Sequence, residues 1–179
     1  ARRDTMNCCL FDVQNVLSGG FEMGNVWYNE PKSLDVAFDV IGDIVLSAAS
    51  QQYGGFTVPS VDLILEPYAE KSYERYIEKY LRLGIGQETA EAEAYADVVR
   101  EYEQGFQGWE YKFNTVGSSR GDYPFITVTA GTGTGRFAKL ATITMLNVRR
   151  RGQGKKDCKK PVLFPKIVFL YDENLHGPG

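Results

Sequence analysis

YPFITVTAGTGTG, residues 123–135, decides the class of fold. YPFITVTAG, residues 123–131, is rich in β-branched and aromatic residues and reads as a strand. Gly131, Gly133 and Gly135 then make a tight turn, and helix-forming residues run from about Arg136 to Arg150. A second apolar strand follows in VLFPKIVFLYD, residues 162–172. Strands separated by helices need crossover connections, and crossovers give largely parallel packing. The expected class is therefore α/β.

Working outward, the N-terminal stretch MNCCLFDV, residues 6–13, is apolar and β-prone and reads as another strand. Period-two alternation puts Cys8 and Cys9 on opposite faces. Adjacent cysteines bridge each other only with strain, so a disulfide between them is not expected. LSGGFEMGN, residues 17–25, reads as a turn. Residues 30–55 predict a helix with Ser33 as N-cap, Asp35 in the first turn and Gly54-Gly55 as the stop. Its apolar stripe takes in Leu34, Ala37, Ile41, Ile44, Val45, Ala48 and Ala49, widened by Val36, Val40 and Leu46. A stripe so broad implies burial on two sides.

Pro59 and Ser60 open a further helix, with Pro67 inside the pattern and a kink expected near Leu65 or Glu66. After Gly84-Ile85-Gly86, a long helix is predicted from Gln87 to Asn114, with Tyr95, Val98, Val99, Tyr102, Phe106, Trp109 and Phe113 on roughly one stripe and acidic residues opposite. Residues 114–122 read as a polar loop, and residues 147–161 as a basic one.

Bulk properties bound the function. The chain has 179 residues, 43% hydrophobic content and a net charge of −3. This suits one domain with a real core and argues against a nucleic-acid-binding surface over the whole chain. No apolar run reaches the roughly 20 residues that span a bilayer. No secretory signal is expected behind Ala1-Arg2-Arg3-Asp4, and both ends read as cuts in a longer polypeptide. Three cysteines, no CxxC spacing and a single histidine, His176, make a metal site improbable and suit a reducing cytoplasm.

Four features carry potential chemistry, each beside a plainer reading. Cys8 and Cys9 are either small packing residues or include a thiol that exchanges a proton or hydrogen with a substrate. The glycine run at 131–135 either cradles phosphate with its amides or simply turns strand into helix. It matches neither the P-loop nor the dinucleotide fingerprint. The basic run Arg149–Lys160 either meets polyphosphate or nucleic acid or is a solvated loop. Glu30 and Lys32 at a helix entrance either contact a nucleotide or form a cap with a surface ion pair.

Read together, MNCCLFDV, GFEMGN, EPKS, SQQYGG, PYAEKSY, NTVGSSRGDYPFITVTAGTG and KKPVLFPKIVFLYDE, in this order, resemble the catalytic subunit of the anaerobic class III ribonucleoside-triphosphate reductases. The resemblance covers nearly the whole chain and is to an interior fragment. It implies a segment of a ten-stranded α/β barrel of the glycyl-radical and ribonucleotide reductase type, helix-rich in its first part with a few strands. The chain would be a single partial domain, 1–179. Residues 1–115 would supply the first barrel strand plus a helical region, and residues 116–179 a strand-helix-strand region.

The family chemistry then implies roles. A glycyl radical in a missing C-terminal part, installed by a radical-SAM activating enzyme, generates a thiyl that takes the 3′ hydrogen of a ribonucleoside triphosphate. The 2′ hydroxyl leaves as water, and the cysteine matching Cys8 supplies the proton. Asn7 would lie beside the substrate, and Cys9, at a variable place, would face away. Formate is the implied reductant, and the fragment alone would bind no cofactor and reduce nothing. The resemblance also implies a homodimer with a specificity site for dNTP or ATP effectors at its interface, with Glu30, Lys32 and Ser33 as candidate contacts. The alternative is a non-catalytic nucleotide-binding or dimerisation module derived from the same family.

Overall fold

The computed structural model describes residues 8–51, 54–115, 123 and 125–177. The N-terminal strand is short. Only Cys9–Leu10 (β1) pairs, and Val13–Leu17 already forms a helical turn (α1). The predicted strand over 6–13 therefore stops early. Asp12 explains why, because its Oδ1 accepts from the Asn15 N–H at 3.2 Å and caps the new helix. The stretch read as a turn is a hairpin of Phe21–Met23 (β2) and Val26–Tyr28 (β3). Gly24 and Asn25 between them have φ of 60° and 64°. That is the left-handed pair that a two-residue hairpin turn requires.

Leu34–Ala49 (α2) follows, then Phe56–Val58 (β4), Val61–Arg82 (α3) and Gln87–Thr115 (α4). Helix α2 ends at Ala49, five residues before Gly54, and Val36 on its expected stripe is exposed while Phe38 is buried. Helix α3 runs unbroken through Pro67. The remaining elements are Ile126–Ala130 (β5), Arg136–Arg151 (α5), Gln153–Lys155 (β6), Cys158–Lys160 (β7), Lys166–Phe169 (β8) and Glu173–His176 (α6). The basic loop of the sequence is thus the last turn of α5 and an antiparallel hairpin, β6–β7.

Four strands form one sheet in the order β1-β4-β5-β8, and every neighbouring pair is parallel. The crossover helices lie against one face. Phe56, Val58, Ile126, Val128 and Ala130 point into a core shared with Leu34, Ile41, Leu65, Tyr102 and Phe137, all at most 1% exposed. Between α2 and α4 the core is aromatic, with the Phe38 ring 4.9 Å from Phe106 and 4.8 Å from Trp109. Trp109 Nε1 donates to the Phe38 carbonyl at 2.8 Å, so the indole polar edge is satisfied inside. The helices approach closely because Gly105 faces Phe38, and a Cβ there would overlap the ring.

The opposite face of the sheet is left open. Pairing aligns Leu10, Thr57, Thr127 and Lys166 in one row across it, with Thr129 and Val168 beyond. Leu10 is 76% exposed and Val168 44%. The segment that enters β8 is held from the helical side. Arg149 donates to Glu110 Oε1 at 2.7 Å and to the Val162 carbonyl at 2.9 Å, and Asn114 Oδ1 accepts from the Leu163 and Phe164 amides.

Candidate functional site

Cys8 sits at the entrance to β1, exposed. Alternation puts it on the side of Leu10, the open face, while Cys9 packs against the core. The Gly55 N–H donates to Cys8 Sγ at 3.2 Å, and the Gly55 carbonyl accepts from the Cys9 N–H at 3.1 Å. The thiol is therefore tethered at the N-terminal rim of two adjacent strands, on a sheet face otherwise lined by Leu10, Val168, threonines and Lys166. The Thr129 hydroxyl is already engaged, accepting from the Ser60 N–H at 2.8 Å. Lys166 Nζ lies 4.2 Å from the Phe125 ring centroid. Asn7 lies outside the described residues.

The turn before α2 gathers charge differently from the sequence expectation. Glu30 pairs with Lys71 of α3 at 2.7 Å rather than with Lys32, and Lys71 also lies 5.0 Å from the Tyr68 ring centroid. Burial, reinforced by the Glu30 carboxylate, pushes the Tyr68 phenol up to about 12. Lys32 is exposed and makes no ion pair among the described residues. Ser33 is buried, and its hydroxyl donates to Asp35 instead of capping the helix. The capping acceptor comes from α3, where Ser72 Oγ accepts from the Leu34 N–H at 2.9 Å. That partner is 38 residues away in sequence, beyond any local capping rule.

The glycine run after β5 does present amides to an anion, but the anion is the protein's own. Asp62, in the first turn of α3 and fully buried, accepts from the Gly131 N–H at 3.0 Å and the Gly133 N–H at 2.9 Å through one oxygen, Oδ2. One and two turns further along α3, Glu66 Oε1 accepts from the Ala138 amide at 3.4 Å and Glu70 pairs with Arg136 at 2.9 Å. An acidic ridge at four-residue spacing thus seats the N-terminus of α5, where the helix dipole favours negative charge. A bound phosphate would have to displace Asp62, so the strand-to-helix turn is the reading that holds. Sequence reasoning missed Asp62. The available signal was the Asp62, Glu66, Glu70 spacing beside an apolar stripe. His176 closes the same corner, with Nε2 2.8 Å from the Gly131 carbonyl.

Among the described residues, no three His, Cys, Asp or Glu side chains come together to hold a metal ion, and no helix is long and apolar enough to cross a membrane. A parallel sheet, helices on one face and a thiol at the rim of the open face define a piece of an α/β barrel. The chain matches the family of anaerobic ribonucleoside-triphosphate reductases over residues 2–177, and it belongs to that family. It is 38% identical over 172 residues to the anaerobic ribonucleoside-triphosphate reductase of Enterobacteria phage T4, covering 95% of this chain and 27% of the relative. The enzymes of Haemophilus influenzae and Escherichia coli match at 38% and 34%, again over 95% of this chain but only 24% and 23% of their own lengths. The chain spans about a quarter of the relatives it matches.

The crystal structure of the anaerobic ribonucleotide reductase from Thermotoga maritima in complex with dATP and CTP superposes with a TM-score of 0.53 at 14% identity. It covers 80% of this chain and 24% of that one. The fold is a segment of that barrel.

Proposed function

We propose that this chain is the part of an anaerobic ribonucleotide reductase that presents Cys8 to the ribose of a ribonucleoside triphosphate. The observation that carries the reading is the position of Cys8 at the rim of the uncovered sheet face, within a chain of this family. Residues 1–115 and 116–179 would act as one partial domain, since β4 from the first and β5 from the second pair directly.

In this reading a glycyl radical carried elsewhere in the enzyme supplies the unpaired electron, with formate as reductant. The chain's own task is to hold a protonated sulfur against the sugar. Loss of the 2′ hydroxyl as water needs a proton on that oxygen, and a thiol can give one near neutral pH. Cys9, half-buried against the core, would take no part, and Asn7 would stand beside the substrate. A closed barrel would shield the chemistry from solvent. The setting would be cytoplasmic, in a homodimer loaded by a radical-SAM activating enzyme.

The Glu30–Ser33 turn is proposed as an effector contact. Exposed Lys32 would meet phosphate, Glu30 would meet a sugar or base donor, and buried Ser33 would contribute through the shape of the turn.

In the full reductase, Cys8→Ala should abolish deoxynucleotide formation while leaving the glycyl radical visible by electron paramagnetic resonance. Undiminished turnover would refute the assignment. Lys32→Ala should weaken effector affinity, and unaltered binding by calorimetry would reject that contact.

A further inference from the structure

We propose that the backbone amide of Gly55 is a positioning group for Cys8, orienting its sulfur and stabilising the negative charge that develops there when the proton leaves. This rests on the reading of Cys8 as proton donor and adds to it a partner that lies 47 residues away in sequence.

The geometry is a two-point clamp. The Gly55 carbonyl accepts from the Cys9 N–H at 3.1 Å, which fixes the chain direction at the start of β1. The Gly55 N–H then reaches Cys8 Sγ at 3.2 Å, a hydrogen bond to sulfur. A thiol side chain can turn about its Cα–Cβ bond, and an exposed one has little to hold it. One directed donor selects a single orientation. The parallel register, Cys9 opposite Phe56 and Leu10 opposite Thr57, anchors the donor, so the clamp does not depend on a mobile side chain.

The step it serves is one proton transfer. The S–H bond breaks and its electron pair stays on sulfur. The proton joins the 2′ oxygen, which departs from C2′ as water with the C–O bonding pair. The sugar, already carrying the unpaired electron, is left as a radical cation. A backbone N–H aimed at the sulfur stabilises the thiolate side of this exchange and is preorganised before it begins.

Gly55 also permits a clean test. A Cβ added there would meet the Phe125 ring at 3.4 Å, an ordinary contact, so Gly55→Ala keeps the donor at little steric cost. Gly55→Pro removes it. Both variants are made in the full-length reductase, and iodoacetamide alkylation of Cys8 at pH 7 is followed by peptide mass spectrometry before radical installation. Cys158, exposed on the distant β6–β7 hairpin, serves as the internal reference.

Gly55→Pro should slow Cys8 relative to Cys158 by about threefold or more, because the thiolate is the reacting species, while Gly55→Ala stays within about 1.5-fold. Turnover should fall further in the proline variant than in the alanine one. Equal alkylation in both variants, or an equal fall in both, overturns the proposal. If the proline variant does not fold, hydrogen exchange decides: the Gly55 amide should exchange about tenfold faster in Cys8→Ala, and unchanged protection overturns the proposal. The two readings fail separately. Turnover surviving Cys8→Ala sinks the proton-donor role, whereas normal Cys8 alkylation in Gly55→Pro sinks only the amide's role.

Discussion

Replacing Asp62 by alanine should be among the damaging single changes on α3. Its Oδ2 takes both the Gly131 and Gly133 amides, at 3.0 and 2.9 Å, with the residue fully buried. Alanine leaves both donors without a partner at the foot of α5. Each stranded donor costs roughly 1–3 kcal/mol. Part of this is offset, because burying the carboxylate is itself unfavourable and Asp62 Oδ1 has no partner among the described residues. A net loss of about 3 kcal/mol follows. Asp62→Asn keeps an acceptor oxygen and forfeits only the charge assistance, about 1 kcal/mol. Urea unfolding of the 179-residue chain by circular dichroism reads both. With a slope of about 2 kcal/mol/M, alanine should lower the midpoint by about 1.5 M and asparagine by about 0.5 M. Hydrogen exchange at Gly131 and Gly133 should rise with alanine. A midpoint within about 0.3 M of the unmodified chain for Asp62→Ala, or equal losses for both variants, would refute the account of the glycine turn.

Tyr102 points the other way: it is buried and its hydroxyl has no partner among the described residues, so Tyr102→Phe should leave the urea midpoint unchanged or raise it, by up to about 1 kcal/mol. A clear loss of stability would show that the hydroxyl is satisfied in solution. Gly105→Ala should cost about 2 kcal/mol despite its better helix propensity, because the new methyl meets the Phe38 ring, and calorimetric melting would show it. Tyr68 and Tyr76 are both pushed up to about 12, Tyr68 by burial and Glu30, Tyr76 by burial and its hydrogen bond to Glu101. Their folded-state values exceed the unfolded value near 10, so the stability they confer is intact below pH 10 and drains away between about pH 10 and 12. Urea midpoints measured across that window should fall, and Tyr76→Phe should flatten the fall.

Legibility of the fold followed the range of the interactions. The long helices were readable because their apolar stripes repeat locally: of the stripe expected on α4, Val98, Tyr102, Phe106, Trp109 and Phe113 are buried, while Tyr95 is exposed and Val99 only half-buried. The β5–α5 boundary was readable from Gly131 to Gly135. Features decided at long range were not. Ser33 looks like a cap and is not one, because Ser72 of α3 supplies the acceptor. The glycine amides look free and are filled by Asp62, 69 and 71 residues away. The β2–β3 hairpin hid behind its own turn signal, since strands of three residues offer almost no periodicity. At the candidate site, alternation along β1 separated Cys8 from Cys9, but nothing near Cys8 in sequence announces Gly55.

The self-filled amide nest beside α5 also bears on traffic around the molecule. Loops of this shape attract phosphate groups, and a vacant one would be an anion site in its own right. With a carboxylate lodged there, the two amides are already spoken for, and an arriving phosphate meets an acceptor instead of open donors.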